Sequence, residues 1–168
     1  QYVPVIEDIA RLNGSAAWCV NQNCGCSMTA AYLEPAAAKE IFGGPRGILA
    51  WGPGPGEARV APGGYRVTAT WAFASGSHHA TWLGAHMKIA GTGGKVRTML
   101  FPKSQVTMHD IWHVVGLRGT GSDEYVVEDV FVPQHHSMDR DGKAERRADG
   151  PLSRFPRNPL SSCGFGGV

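Results

Sequence analysis

The sequence predicts an α+β fold, in which the end of a helical domain is followed by a β-barrel-like domain. Three observations predict it. Apolar and small residues recur in helical patterns up to residue 42, short stretches rich in apolar and β-branched residues begin at residue 48, and glycine-rich turns separate those stretches. Helices that precede a run of strands are typical of α+β architecture.

The helical part divides into three predicted helices. The first covers residues 2–13, Gly14 interrupts it, and Ser15 is expected to cap the second helix. Residues 16–33 carry many small side chains, which predicts a buried helix that packs closely against its neighbours. Residues 35–42 form the third helix, which begins at a proline and ends before two glycines.

The β-rich part contains about six predicted short strands. Those with the clearest patterns cover residues 48–51, 65–71, 81–89, 96–101 and 125–132. The polar, proline-punctuated stretch 133–157 is predicted to be a linker. Residues 160–168 become apolar and small again, which predicts the first turns of a further helix.

Composition excludes several classes of protein. A net charge of +2 and the lack of a Lys/Arg run argue against a nucleic-acid partner. The apolar stretches are far shorter than the ~20 residues that span a bilayer, and no signal-peptide pattern opens the chain. Four cysteines are few for a disulfide scaffold, so we expect reduced thiols and a cytoplasmic location.

Three segments occur in an order that resembles a known family. They are GGYRVTATWAFASG with the following HATW (residues 63–76 and 79–82), DIWHVVGLRGTGS (residues 110–122) and VEDVFVP (residues 127–133). Together they resemble the acyl-CoA dehydrogenase superfamily, and most closely its branch of two-component flavin-dependent monooxygenases. Residues 6–33 also resemble the last helices of that family's N-terminal domain.

The resemblance implies a domain organisation. Residues 1–46 correspond to the end of an N-terminal helical domain, residues 47–134 to the flavin-binding β domain, and residues 135–168 to a linker and the start of a C-terminal helical domain. The rest of that C-terminal bundle is missing, and the chain opens at Gln1 in a helical pattern, so we expect a fragment of a longer protein. The full-length protein is expected to be a homotetramer.

The resemblance also implies an activity. We expect an oxidoreductase that uses reduced flavin, FAD or FMN, to hydroxylate an aromatic or related small molecule, with a flavin reductase as partner. One alternative is an acyl-CoA dehydrogenase, which desaturates an acyl-CoA by hydride transfer to FAD. A second alternative is a non-catalytic β module that binds a ligand. The fragment alone is expected to be inactive.

The family pattern assigns candidate site residues. A flavin needs an apolar wall and hydrogen-bonding groups near N5 and the pyrimidine edge. The expected cofactor-binding residues are Ala50, Trp51, Gly52, Trp71, Phe73, Ala74 and Ser75, and the candidate catalytic residues are Ser75 and His113. Alternatively, Trp71 and Phe73 are core aromatics, and residues 50–55 form a plain turn.

Two further segments are open to other interpretations. The loop after residue 50 lacks the Thr-Glu pair found at this place in acyl-CoA dehydrogenases, which weakens the dehydrogenase alternative. Residues 116–122 are rich in glycine and hydroxyls but lack the phosphate-loop pattern, so a structural turn is favoured.

No metal site is predicted. Cys19, Cys24 and Cys26 lie within one predicted helix and project in different directions, which does not match the spacing of zinc ligands. The histidine pairs 78–79 and 135–136 are expected in surface loops.

Overall fold

The computed structural model describes residues 2–139 and 145–151. Within these ranges, three α-helices precede eight strands of one mixed sheet, which confirms the α+β prediction. The helices are α1 (Tyr2–Leu12), α2 (Gly14–Ser27) and α3 (Pro35–Phe42), with a 3-10 turn at Met28–Ala31. The strands are β1 (Leu49–Trp51), β2 (Glu57–Ala61), β3 (Gly64–Trp71), β4 (Trp82–Ile89), β5 (Val96–Pro102), β6 (Thr107–His109), β7 (Glu124–Pro133) and β8 (Ser137–Asp139).

The predicted closure into a barrel is wrong, because the sheet is open. Its hydrogen-bonded order is β6-β7-β3-β2-β4-β5-β8, with β1 added parallel to β4. The edges β6 and β8 are each three residues long, and in the described chain each pairs with one neighbour. A barrel closes only where two edge strands pair with each other. The alternation along a strand predicts which face is buried, but it does not specify that pairing.

The junction between α1 and α2 also differs from the prediction. Asn13, not Ser15, caps α2, and its side-chain oxygen accepts a hydrogen bond from the Ala16 N–H at 2.9 Å. Asn13 is extended (φ −159°, ψ 106°), whereas Gly14 already belongs to the helix. A single extended asparagine therefore separates the two helices and satisfies a free N–H at the start of α2.

Two apolar clusters hold the fold together. In the larger one, inside the sheet, the Trp71 ring stacks on Phe101 and Tyr125 with centroid distances of 5.8 and 5.2 Å. The smaller one joins the helices to the sheet and contains Leu33, Ala37, Ile41, Leu49, Trp82 and Leu100. Each large side chain buried in this way contributes about 1.5–3 kcal/mol, so the helices are anchored on the side of the sheet formed by β1, β4 and β5.

Strands β2, β6 and β8 were not predicted. β8 lies in the stretch predicted as a linker, and it pairs antiparallel with β5 after a 3-10 turn at Gln134–His136. The predicted helix start at residues 160–168 lies outside the described residues. Among the described helices, none has the length and apolar character needed to cross a membrane.

Candidate active site

The chain leaves the sheet directly after Trp71. Phe73 has a left-handed backbone (φ 60°), and a turn covers residues 75–79. Gly76 is needed in this turn, because its φ is 77° and a Cβ there would lie 2.7 Å from the side-chain oxygen of Asn23. The turn is therefore packed against α2.

Ser75 joins this turn to two other parts of the chain. Its hydroxyl oxygen accepts a hydrogen bond from the Trp18 indole N–H of α2 at 2.9 Å. It also shares a 2.7 Å hydrogen bond with the Ser122 hydroxyl, which lies 47 residues away along the chain. Ser75 is almost fully buried. Its hydrogen bond with Ser122 is buried, and the one from Trp18 is partly buried.

The direction of these hydrogen bonds follows from the count of hydroxyl hydrogens, one for each residue. Thr120 donates its hydrogen to the Leu117 carbonyl at 2.9 Å, so it accepts from Ser122 at 2.6 Å. Ser122 has then used its hydrogen and accepts from Ser75. The hydroxyl chain, defined as Ser75, Ser122 and Thr120, thus leaves Ser75 able only to accept from a further ligand.

Asp123 anchors the segment that contains Ile111 and Trp112 next to the hydroxyl chain. Its side chain is 4% exposed; one carboxylate oxygen accepts from the Ile111 and Trp112 N–H groups, both at 3.0 Å, and the other is hydrogen-bonded to His78. Burial by itself would raise the pKa of Asp123. The hydrogen bonds from His78 and the two backbone N–H groups outweigh burial and hold that pKa below its ordinary value.

Exposed apolar side chains occur at the turn and in the segment that Asp123 anchors. Phe73 is 60% exposed, and its ring meets the edge of Trp112 at a centroid distance of 5.7 Å. We define the apolar ledge as Phe73 with the residues of the following segment, Ile111, Trp112, Val115 and Leu117. All except Trp112 are among the exposed large apolar residues of the described chain, and the Phe73–Trp112 contact joins the turn to the following segment. Exposed apolar groups of this kind are candidates for contact with a ligand or another protein segment.

The ends of β1 and β3 meet beside the turn. A Cβ on Gly52 would collide with the carbonyl oxygen of Ala72, so only glycine allows this approach. The Gly52 N–H already donates to the Tyr125 hydroxyl at 3.3 Å, and that hydroxyl donates to the Gly84 carbonyl. Burial raises the pKa of Tyr125, which stays neutral in this role.

The structure brings some predicted site residues together and separates others. Ala50 and Ala74 are fully buried close to the junction of β1 and β3, and Trp51 is half-buried against His86. Trp71 is 1% exposed and belongs to the core rather than to the ledge. His113 is exposed, lies 3.7 Å from Asp110, and is not part of the hydroxyl chain.

Sequence reasoning missed Trp18, Ser122, Thr120 and the pair formed by His78 and Asp123. Ser122 and Thr120 lie in the segment for which the sequence favours a structural turn. Their Thr-x-Ser spacing could have indicated a pair of neighbouring hydroxyls. Trp18 was the one tryptophan among the small residues of its predicted helix. Nothing in the local pattern, however, indicates that these residues meet Ser75.

No family model matches the chain. It is 45% identical over 85 residues to the oxygenase subunit HsaA of a flavin-dependent monooxygenase from Rhodococcus jostii strain RHA1, covering 49% of this chain and 22% of that protein. It is 34% identical over 161 residues to indole-3-acetate monooxygenase from Pseudomonas putida, covering 92% of this chain and 40% of that protein.

The fold is shared with solved structures. XiaF from Streptomyces sp., solved in complex with FADH2 and glycerol, superposes with a TM-score of 0.83 at 30% identity, covering 98% of this chain and 45% of XiaF. These relatives indicate the class of protein: the chain is homologous to a part of proteins that are flavin-dependent oxidoreductases. More narrowly, the two curated relatives are monooxygenases, as the sequence resemblance predicts. The chain spans less than half the length of each of these proteins.

Proposed function

We propose that this chain is part of the oxygenase component of a flavin-dependent monooxygenase, which hydroxylates an aromatic or related small molecule. The observation that carries the proposal is the turn after β3, where the acceptor hydroxyl of Ser75 follows the exposed ring of Phe73 by two residues. The homology to monooxygenases supports the same assignment.

The residues at this turn fit a flavin. The apolar ledge offers a wall for a flat ring. Because Gly52 approaches Ala72 closely, main-chain atoms rather than side chains lie next to this wall. Reduced FAD or FMN would supply the electrons that activate oxygen. Reduced flavin carries a hydrogen on N5 that oxidised flavin lacks, so the acceptor-only hydroxyl of Ser75 favours the reduced form.

The Gly52 N–H is not offered to the flavin in this proposal, because it donates to the Tyr125 hydroxyl. The role of Gly52 in the proposal is to let the β1 loop approach β3. His113 stays a prediction, as a residue of the segment that carries the ledge.

The larger organisation is proposed with the function. Residues 1–46 belong to an N-terminal helical domain and residues 47–134 to the flavin-binding domain, to which the structure adds β8. The residues after β8 lead to a C-terminal helical domain. A flavin reductase supplies the reduced cofactor, and the complete enzyme is a homotetramer. The chain aligns with only 40% of indole-3-acetate monooxygenase and 45% of XiaF, which supports the proposal that it carries only part of the site.

Anaerobic titration of the complete protein with reduced and oxidised FAD and FMN tests the proposal. We expect reduced flavin to bind about fivefold more tightly or better, since one matched hydrogen bond contributes roughly 1 kcal/mol. With a reductase, oxygen and a panel of phenols and indoles, a hydroxylated product should form. Failure of both flavins to bind, or equal affinity for the two redox states, would contradict the proposal.

A further inference from the structure

Two histidines and a carboxylate meet between α3 and the 3-10 turn that joins β7 to β8. Glu40 lies on α3, and His135 and His136 lie in the turn. One potential ligand atom from each of the three lies within 4.8 Å of the other two. This cluster has no part in the proposed flavin chemistry.

The spacing is close to that of a metal site. The Nε2 atom of His136 lies 3.0 Å from Oε2 of Glu40. In a tetrahedral zinc site with bonds of about 2.0–2.1 Å, ligand atoms lie roughly 3.3 Å apart. Two of the three ligands are thus near their final separation, and the third has to approach them by up to about 1.5 Å.

One ligand is held in place and the other two are adaptable. The His136 side chain is 9% exposed, and its ring packs edge-on against Trp82 at a centroid distance of 4.9 Å. His135 is exposed, as is Glu40 at 54%, so both side chains can rotate toward the fixed imidazole.

A cavity adjoins the cluster. Glu40 and His136 line a cavity of about 650 Å³, whose lining also includes the acidic residues Glu128 and Asp129. These negative groups favour a cation, although Asp129 is also paired with Arg66. A zinc ion with three protein ligands keeps a fourth position for water or a small ligand, and here the cavity provides the space.

We propose that Glu40, His135 and His136 bind a divalent cation of the zinc class. The ion ties α3 to the β7–β8 turn, so it fixes the helical part to the edge of the sheet. The competing explanation is an ordinary ion pair between Glu40 and His136 with no affinity for metal.

The chain offers a matched control for that explanation. His109 and Glu124 form a pair of the same kind at 2.9 Å. The described residues place no third ligand at this pair. It therefore reproduces the ion pair without the complete ligand set.

The experiment measures zinc binding to the complete, metal-free protein by calorimetry and by the shift in melting temperature. The variants are Glu40→Gln and His135→Ala, which change exposed side chains, with His109→Ala as the control. Cobalt(II) absorption identifies the ligands, because thiolates from Cys19, Cys24 or Cys26 give a charge-transfer band that imidazole and carboxylate do not.

We expect one equivalent of zinc, a higher melting temperature with zinc, and visible cobalt bands without the thiolate band. Loss of even an outer-shell partner lowers metal affinity about 10–100-fold, so each ligand variant should lose at least tenfold while His109→Ala retains the affinity. No binding by the wild type, equal binding by the ligand variants, or a thiolate band would overturn the proposal.

Discussion

Two aromatic residues, two positions apart, have opposite environments. Trp71 is 1% exposed and stacks within the sheet core, whereas Phe73 is 60% exposed and contacts only the edge of Trp112 among the ring contacts of the described residues. In a continuous strand, residues i and i+2 would share a face. The left-handed backbone at Phe73 reverses its direction.

This difference separates an aromatic residue of the core from the one that we propose as part of the cofactor wall. The same Trp-x-Phe motif provides one ring for the core and one for the proposed cofactor wall, and the change occurs where the hydrogen-bonded ladder ends at Trp71. The following predictions test this division, beginning with the largest expected effect.

Trp71→Ala should destabilise the protein by about 3–5 kcal/mol, because it leaves a large cavity between Phe101 and Tyr125. Urea denaturation measures the loss. Trp71→Phe is the matched control and should lose much less, since it keeps an aromatic ring in the stack. If Trp71→Ala lost under 1 kcal/mol, the core role of Trp71 would be wrong.

Asp123→Asn should lower the free energy of unfolding by about 1.5–3 kcal/mol at neutral pH, because it removes a charged acceptor of several hydrogen bonds. The folded state holds the pKa of Asp123 below its ordinary value of about 3.9. The carboxylate therefore contributes stability above about pH 4, and this contribution is lost as the pH falls through the lower folded pKa.

Denaturation curves of both proteins across acidic pH measure this effect. The stability difference between wild type and Asp123→Asn should narrow below about pH 4. A difference that widened on acidification would show that the carboxyl is not stabilised in its charged form.

Ser75→Ala should increase the hydrogen peroxide released for each reduced flavin consumed by the complete enzyme. The lost hydrogen bond corresponds to roughly 1–3 kcal/mol, or ~5- to 150-fold. The melting temperature should also fall, because the Trp18 N–H loses its acceptor.

Ser122→Ala is the control for that prediction. It breaks the same hydroxyl chain but retains the Ser75 oxygen, so it should lower stability with a smaller effect on peroxide release. Equal peroxide release by the two variants would show that Ser75 is not part of the active site.

The smallest expected effect concerns the backbone at Phe73. Phe73→Gly should be more stable than Phe73→Ala by about 1 kcal/mol, because glycine adopts a positive φ without strain. Both variants should weaken reduced-flavin binding, since both remove the exposed ring. An alanine variant as stable as the glycine variant would show that the left-handed conformation is not maintained in solution.

Local sequence patterns predicted the elements whose own residues determine them. The alternation of Tyr65, Val67 and Trp71 predicted β3, and Pro35 correctly marked the start of α3. Strands β6 and β8 are three residues long, too short for a periodic pattern, and they are strands only because β7 and β5 supply hydrogen-bonding partners. The open sheet could not be predicted either, because the pattern along a strand does not specify whether the edge strands pair with each other.

The candidate site was predictable only in part. The family pattern predicted Ser75 and Phe73 as cofactor-binding residues, but the partners of Ser75 lie 57 and 47 residues away along the chain. The outward direction of Phe73 depends on one backbone torsion that the alternating pattern does not contain. Long-range contacts and single torsions are therefore the information that sequence reasoning lacked.

The contact of Gly52 with the Ala72 carbonyl constrains how this protein can vary. Any side chain at position 52 collides with main chain, which cannot rotate away as a neighbouring side chain could. In a library of all single substitutions, position 52 should therefore accept glycine alone. Gly44, around which a Cβ would meet nothing within 4 Å, should accept many residues.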